Sequence, residues 1–317
     1  MNILWVPKYY KKFIGSRNKI FMSSRRIRCY NLYYKLSKQY QCDILGYSTF
    51  KPNIDLYDAV IFQKIIDTKL LLKAKLKKKI VILDLCDPVK KLPNYSFLLD
   101  MIHTSSAQLC DNVNLIIRKP INVLYDSHEV DPNKKKLHEQ KNKLIFSWYG
   151  NPTSFDQSIK PFLKIFEGVD GVLFKFSPIK RDNEPNVISN IEFILPYYDS
   201  WKNINTWQKF IYNSDVGIVP TGEGLIKSPH KILNYMAYGI PVICTPSSNN
   251  KDIVKHQHNS LFASTPDEWL CAIEKMKNPN YRKQLGDVAR NETLDNYNCE
   301  KASLKLIELI EQFKNRH

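Results

Sequence analysis

Short apolar runs alternate along the chain with longer segments whose apolar residues recur at helical spacing. In the first half, Ile3–Val6, Asp43–Gly46, Asp58–Phe62 and Ile80–Leu85 read as strands. Met101–Thr104, Leu115–Ile117 and Asn122–Leu124 carry weaker strand patterns. Ser24–Tyr40 reads as a helix packing through Ile27, Tyr30, Leu32, Tyr34 and Leu36, and Thr68–Lys78 as a Leu/Lys amphipathic helix. Asp131–Asn142 is polar, Lys-rich and without periodicity, the pattern of a linker. A second series then begins, with strands at Leu144–Tyr149, Gly171–Phe176, Ile191–Leu195, Val216–Val219, Ile240–Cys244 and Leu261–Ala263. Its helices fall at Asp156–Phe166, Asn203–Tyr212, Pro229–Tyr238, Asn250–Val254 and Pro266–Lys277. The alternation predicts two doubly wound α/β domains, 1–140 and 141–298. The remaining 299–317 form a helix expected to pack back on the first domain, with Leu304, Ile307, Leu309, Ile310 and Phe313 as its apolar positions.

The stretch 213–246 carries the most chemistry. Val216–Val219 and Ile240–Cys244 have the length and β-branched content of buried parallel strands, with a helix between them. Ser228 is placed to cap that helix, Pro229 suits its first turn, and Gly239 followed by Pro241 stops it. Ile232, Leu233, Met236 and Ala237 fall on one side, and Lys231, Asn234, Tyr235 and Tyr238 on the other. A helix start flanked by Lys227 and Lys231 suits an anion, although an ordinary crossover helix with solvated lysines has the same spacing. In a 3-2-1-4-5-6 sheet the binding crevice lies beyond the carboxyl ends of the first and fourth strands, here 150–154 and 221–224. Topology and helix-start chemistry therefore select one place. GxGxxG, GxxxxGK[ST] and D-x-D are all absent from the sequence, so the anion would rest on lysines and a helix start, with no bound metal and no cofactor expected.

Composition changes the picture in two respects. Hydrophobic content of 43% with 25% charge is globular, and the seven cysteines are scattered without a CxxC, which suggests a reducing, cytoplasmic setting. The sequence opens on a strand-like run rather than a signal peptide, and has no apolar stretch of membrane-spanning length. The net charge is +16, and residues 1–42 hold ten Lys or Arg and no acid, interleaved with aromatics. No nucleic-acid-binding motif accompanies that charge. An anionic membrane surface or phosphate-bearing substrate explains it, and so does a general bias toward Lys, Asn, Ile and Tyr.

SWYGNP (147–152), NSDVGIVP (213–220), KSPHKILNYMAYGIPVICTP (227–246), NSLFASTPDEW (259–269) and YRKQLGDVAR (281–290) together resemble retaining glycosyltransferases of family 4 and their relatives. The resemblance implies a GT-B fold, two Rossmann-like doubly wound domains facing a central cleft. It also implies a nucleotide-sugar donor on the second domain and an acceptor on the first. Carried over, Lys231 and Lys227 would hold the diphosphate, with backbone N–H groups from Ser228 onward. Gly150, Asn151 and Pro152 would line the phosphates or sugar, with Thr221, Gly222, Asn234 and Tyr198 completing the donor side. Gly15, Ser16, Arg25 and His103 would lie on the acceptor side. Glu223, Lys231 and Asp87 are the catalytic candidates.

Two positions depart from the family pattern. Asn234 stands where a glutamate is usual, and Ile226 occupies the strict place of its partner glutamate, leaving Glu223 to fill that role from three residues earlier. Asn151 stands where an arginine is common, with Lys160 as a substitute. The resemblance points to sugar transfer with retention and without metal, to a cell-surface glycan or lipid-linked acceptor at the inner face of a membrane. A nucleotide-sugar 2-epimerase of the same fold and an inactive nucleotide-sugar-binding subunit are the alternatives.

Overall fold

The protein is described from a computed structural model covering residues 1–8, 23–45, 53–88, 92–150, 152–177, 187–193, 204–221 and 228–316. Its first apolar runs pair as parallel strands. β1 (Asn2–Pro7), β2 (Gln41–Ile44), β3 (Ala59–Gln63), β4 (Ile80–Leu85), β5 (Met101–Thr104) and β6 (Ile121–Val123) form one sheet in the order β2-β1-β3-β4-β5-β6. Between β1 and β2, helices α1 (Ser23–Arg25) and α2 (Leu32–Leu36) flank a π-helical turn at Arg26–Asn31. α3 (Thr68–Leu76) starts on Asp67, whose carboxylate accepts from Leu70 N at 3.2 Å. α4 (Ala107–Asn114) starts on Ser106, which accepts from Leu109 N at 3.3 Å. Leu115–Ile117, expected as a strand, is instead the turn that ends α4. Only Ile117 reaches the core, while Leu115 is 85% exposed.

The second sheet is built from β7 (Leu144–Tyr149), β8 (Val172–Ser177), β9 (Val187–Ile188), β10 (Ile191–Phe193), β11 (Val216–Val219), β12 (Val242–Cys244) and β13 (Leu261–Phe262). Its order is β13-β12-β11-β7-β8-β10-β9. Apart from the antiparallel edge strand β9, this is the 3-2-1-4-5-6 arrangement, with its reversal between β7 and β11. The helices are α5 (Pro152–Ser158), α6 (Leu163–Phe166), α7 (Ile204–Tyr212), α8 (His230–Ala237), α9 (Ser248–Lys251), α10 (Pro266–Met276) and α11 (Pro279–Asn296). An aromatic core of Phe146, Trp148, Phe155, Phe166, Phe174, Phe176 and Trp269 fills one face of the sheet, with Phe166 and Phe174 stacked at 4.7 Å. Gly239, at φ +77°, ends α8. α11 passes it so closely that a Cβ on Gly286 would lie 2.1 Å from the Gly239 carbonyl oxygen.

α12 (Cys299–Arg316) returns to the first sheet, where Leu306, Ile307 and Ile310 share a core with Ile3, Trp5, Tyr30, Ile61 and Ile82. By its contacts the chain divides into Met1–Ser127 with Ile226–Ser228 and Tyr297–His317, and His128–Leu225 with Pro229–Asn296. The Lys-rich segment 131–142 is therefore fastened within the second unit. Lys136 N donates to Tyr238 O at 2.7 Å, Arg282 Nη2 to Glu139 O at 2.7 Å, and Arg290 Nη1 to Lys134 O at 2.9 Å. Arginines from α11 satisfy carbonyls that composition alone assigns to solvent. Among the described residues, no helix is long and apolar enough to cross a membrane.

Part of the N-terminal basic cluster is internal. Arg25, Arg26 and Arg28 are all buried. Arg28, in the π turn, makes a two-point contact with Asp84, Nε to Oδ2 at 2.8 Å and Nη2 to Oδ1 at 2.5 Å. Its Nη1 reaches Asp126 Oδ1 at 2.6 Å and the Leu124 carbonyl at 2.8 Å. Burial alone would lower the guanidinium's pKa, but the two carboxylates outweigh it and hold it well above the ordinary value.

Candidate functional site

In the second unit, α8 is pinned to the sheet by its buried face. Tyr235 lies under β11, where a Cβ on Gly217 would be 2.7 Å from its ring, so only glycine admits it. Its hydroxyl donates to the Ser147 carbonyl at 3.0 Å and lies 2.9 Å from Ser147 Oγ. This fixes the start of the helix at the carboxyl edge of the sheet, beside the ends of β7 and β11.

There the structure brings Gly150 and Lys231 together. Lys231 Nζ lies 4.5 Å from the centroid of Trp148 and 6.0 Å from that of Tyr149. A Cβ on Gly150 would meet the Trp148 ring at 2.5 Å and Lys231 Nζ at 2.9 Å. The ammonium therefore rests against bare backbone at the end of β7. Thr221, just beyond β11, donates its N–H to Thr245 Oγ1 at 3.0 Å. Pro152 opens α5.

The cap expected at Ser228 is shifted by one residue. The N-cap position is Pro229, with no side-chain cap, and Ser228 Oγ donates to Asp126 Oδ2, whose other oxygen is held by Arg28. Asn234 is buried, accepts from Glu129 N at 2.8 Å and donates to Tyr149 Oη at 3.0 Å. An amide can both accept and donate at once, whereas a carboxylate would bury a charge there and donate nothing. Asn151, Gly222, Glu223, Lys227 and Tyr198, and on the acceptor side Gly15 and Ser16, lie outside the described residues.

In the first unit, Asp87 follows β4 at the carboxyl edge of its sheet and pairs with Lys64, which follows β3. Lys64 adopts a left-handed backbone, φ 56°, uncommon for a residue with a side chain. Burial alone would lower its pKa, but the neighbouring Cys86 and Asp87 raise it. Sequence reasoning missed Lys64, although its place directly after a buried strand was a usable signal. Arg25 and His103, expected to meet an acceptor, are buried. Among the described residues, no group of three His, Cys, Asp or Glu side chains is arranged to hold a metal.

His103 has no exposed surface, and both ring nitrogens lack hydrogen-bond partners among the described residues. Burial, with the Arg28 charge nearby, pushes its pKa down to about 3. The unfolded chain, with a histidine pKa of about 6.5, binds this proton first, so stability is full above that value and declines as pH falls toward the folded pKa. Between pH 7 and 5 the loss from this group amounts to about 2 kcal/mol. His103→Leu should flatten the stability curve by that amount in urea denaturation at the two pH values. An unchanged slope would mean that the folded protein protonates this ring.

Residues 190–278 match the sequence family described as Glycosyl transferases group 1. No curated protein matches the sequence. Solved structures match over the whole fold. Sucrose-phosphate synthase from Thermosynechococcus elongatus aligns with TM-score 0.70 at 10% identity, covering 100% of both chains. Anabaena HepE in complex with UDP-glucose aligns at 0.70 and 10%, covering 98% of this chain and 100% of that one. A glycosyltransferase from Rickettsia africae aligns at 0.67 and 12%, covering 100% and 99%. The fold is GT-B. At these identities the likeness speaks for architecture alone.

Proposed function

We propose that the protein is a glycosyltransferase that binds a nucleoside-diphosphate sugar on its second unit. The observation that carries this reading is the Lys231 ammonium held against the Gly150 backbone at the sheet reversal, beside the start of α8. An anionic diphosphate there would meet a positive charge, the helix dipole and main-chain N–H groups with no side chain in the way. The same groups would stabilise the charge that develops on the departing phosphate, so the reaction needs no metal. The group 1 match over 190–278 includes this helix, and HepE with UDP-glucose makes a uridine nucleotide the first donor to try. Transfer proceeds with retention, the departing phosphate taking the acceptor's proton. The acceptor is a cell-surface glycan or lipid-linked glycan at the inner face of a membrane. Asn234, which departs from the family pattern, has a structural role here and so does not favour an inactive binding subunit.

A thermal-shift panel of UDP, GDP, ADP and CMP with their sugars, followed by sugar-nucleotide hydrolysis in EDTA, tests the proposal. UDP should stabilise the protein and turnover should persist without metal. Stabilisation without turnover would indicate a binding subunit, and no response to any nucleotide would overturn the reading.

A further inference from the structure

The first sheet carries an unusual rim. In a parallel sheet, every segment that feeds a strand lies along the amino-terminal edge, and four adjacent strands, β3-β4-β5-β6, receive such segments here. Each presents a large apolar side chain to solvent. Leu56 precedes β3, Leu76 ends α3 before β4, Phe97 precedes β5, and Leu115 with Ile116 precedes β6. Their exposures run from 49% for Leu56 to 85% for Leu115. Strands spaced by about 4.8 Å place these side chains along a front about 15 Å wide. Single exposed apolar residues are ordinary, but five on one rim mark a surface that meets something.

The charge on the rim limits what that is. The same segments hold Lys77, Lys78, Lys79, Arg118 and Lys119 against three carboxylates, each already engaged. Asp55 pairs with Lys77, Asp58 with Lys314 and Asp100 with Lys75. The ion pairs of these segments leave Lys78, Arg118 and Lys119 without a carboxylate partner among the described residues. A second copy would bring this positive rim against itself. Separate apolar tips between cations suit an anionic bilayer, whose interface takes up the side chains while its headgroups meet the lysines.

We propose that the amino-terminal edge of the first sheet, through Leu76, Phe97, Leu115 and Ile116 with Lys78 and Arg118, docks on an anionic phospholipid surface. This rests on the membrane-associated transferase reading above, and it moves the contact from the N-terminal basic cluster, part of which is buried, to the opposite end of the strands from Asp87 and Lys64. The edge would tether the unit while leaving the carboxyl ends of its strands open.

The test is co-sedimentation of the full chain with phosphatidylcholine vesicles, with and without phosphatidylglycerol. Wild type should pellet with the anionic vesicles and release with salt. Leu76→Glu with Ile116→Glu, and separately Lys78→Glu with Arg118→Glu, should each weaken binding about tenfold or more, with unchanged urea midpoints and UDP-induced thermal shifts. Variants that bind like wild type would overturn this surface and leave membrane association standing. Wild type that ignores both vesicles would overturn the docking and the membrane location together, and equal binding to neutral vesicles would overturn the electrostatic match. The UDP shift, read in the same samples, reports on the transferase reading independently.

Discussion

Arg28→Met should destabilise the first unit by about 3–5 kcal/mol, enough to consume much of a typical domain's stability. The guanidinium is almost wholly buried and faces Asp84 and Asp126, both likewise buried. Methionine keeps the apolar stem but leaves two carboxylates without a cation, and their desolvation is then uncompensated. The loss should appear as a lowered urea midpoint. Combining Arg28→Met with Asp84→Leu and Asp126→Asn should restore much of it, because no charge is then stranded. If Arg28→Met alone cost less than about 1 kcal/mol, the triad would be behaving as a solvated surface pair, contrary to its burial.

That triad was invisible in the sequence, and the reason is physical. Ser24–Tyr40 reads as a helix because its apolar residues recur at 3.6-residue spacing. The π turn at Arg26–Asn31 instead buries six consecutive residues, two of them arginines and one an asparagine. Periodicity has no term for a charge that burial will pair, and Arg28's partners lie 56 and 98 positions away. The same blindness makes 131–142 look like a linker, since the arginines that fasten it come from α11. Leu115–Ile117 reads as a strand because apolar runs are assumed to be inside. On this rim two of the three residues face out.

The sheets were legible because buried parallel strands are nearly continuous apolar runs, and the second sheet's order follows once β7 and β11 are found. At the candidate site, Gly150 and Lys231 were legible through strand ends and helix starts. Trp148 was not, because a buried tryptophan in an aromatic run looks like core. It is core, and one face of it also seats Lys231. The cap expected at Ser228 shifted because the first turn of the helix closes one residue later, on Pro229, and the Ser228 hydroxyl spends its proton on Asp126, 102 positions away.

Lys231→Ala is expected to weaken UDP binding by roughly 10- to 150-fold, the span of one charge-assisted contact at about 1.5–3 kcal/mol. Part of the cost of ordering the lysine is already met within the fold, because the ring of Trp148 holds the ammonium beside Gly150. Alanine also removes the packed stem, so its effect mixes two roles. Lys231→Met separates them by keeping the contact with the ring while deleting the charge. If the lysine serves the diphosphate, methionine should lose nearly as much UDP affinity as alanine, while its urea midpoint shifts by only the cation–π contribution, about 1 kcal/mol. If the lysine serves the fold alone, calorimetry will find wild-type UDP affinity in Lys231→Met, and the midpoint will carry whatever change there is. Arginine makes a third case. Its larger planar head cannot sit in the space that Gly150 leaves for an ammonium without displacing the Trp148 ring, so Lys231→Arg should keep the charge yet recover only part of the affinity.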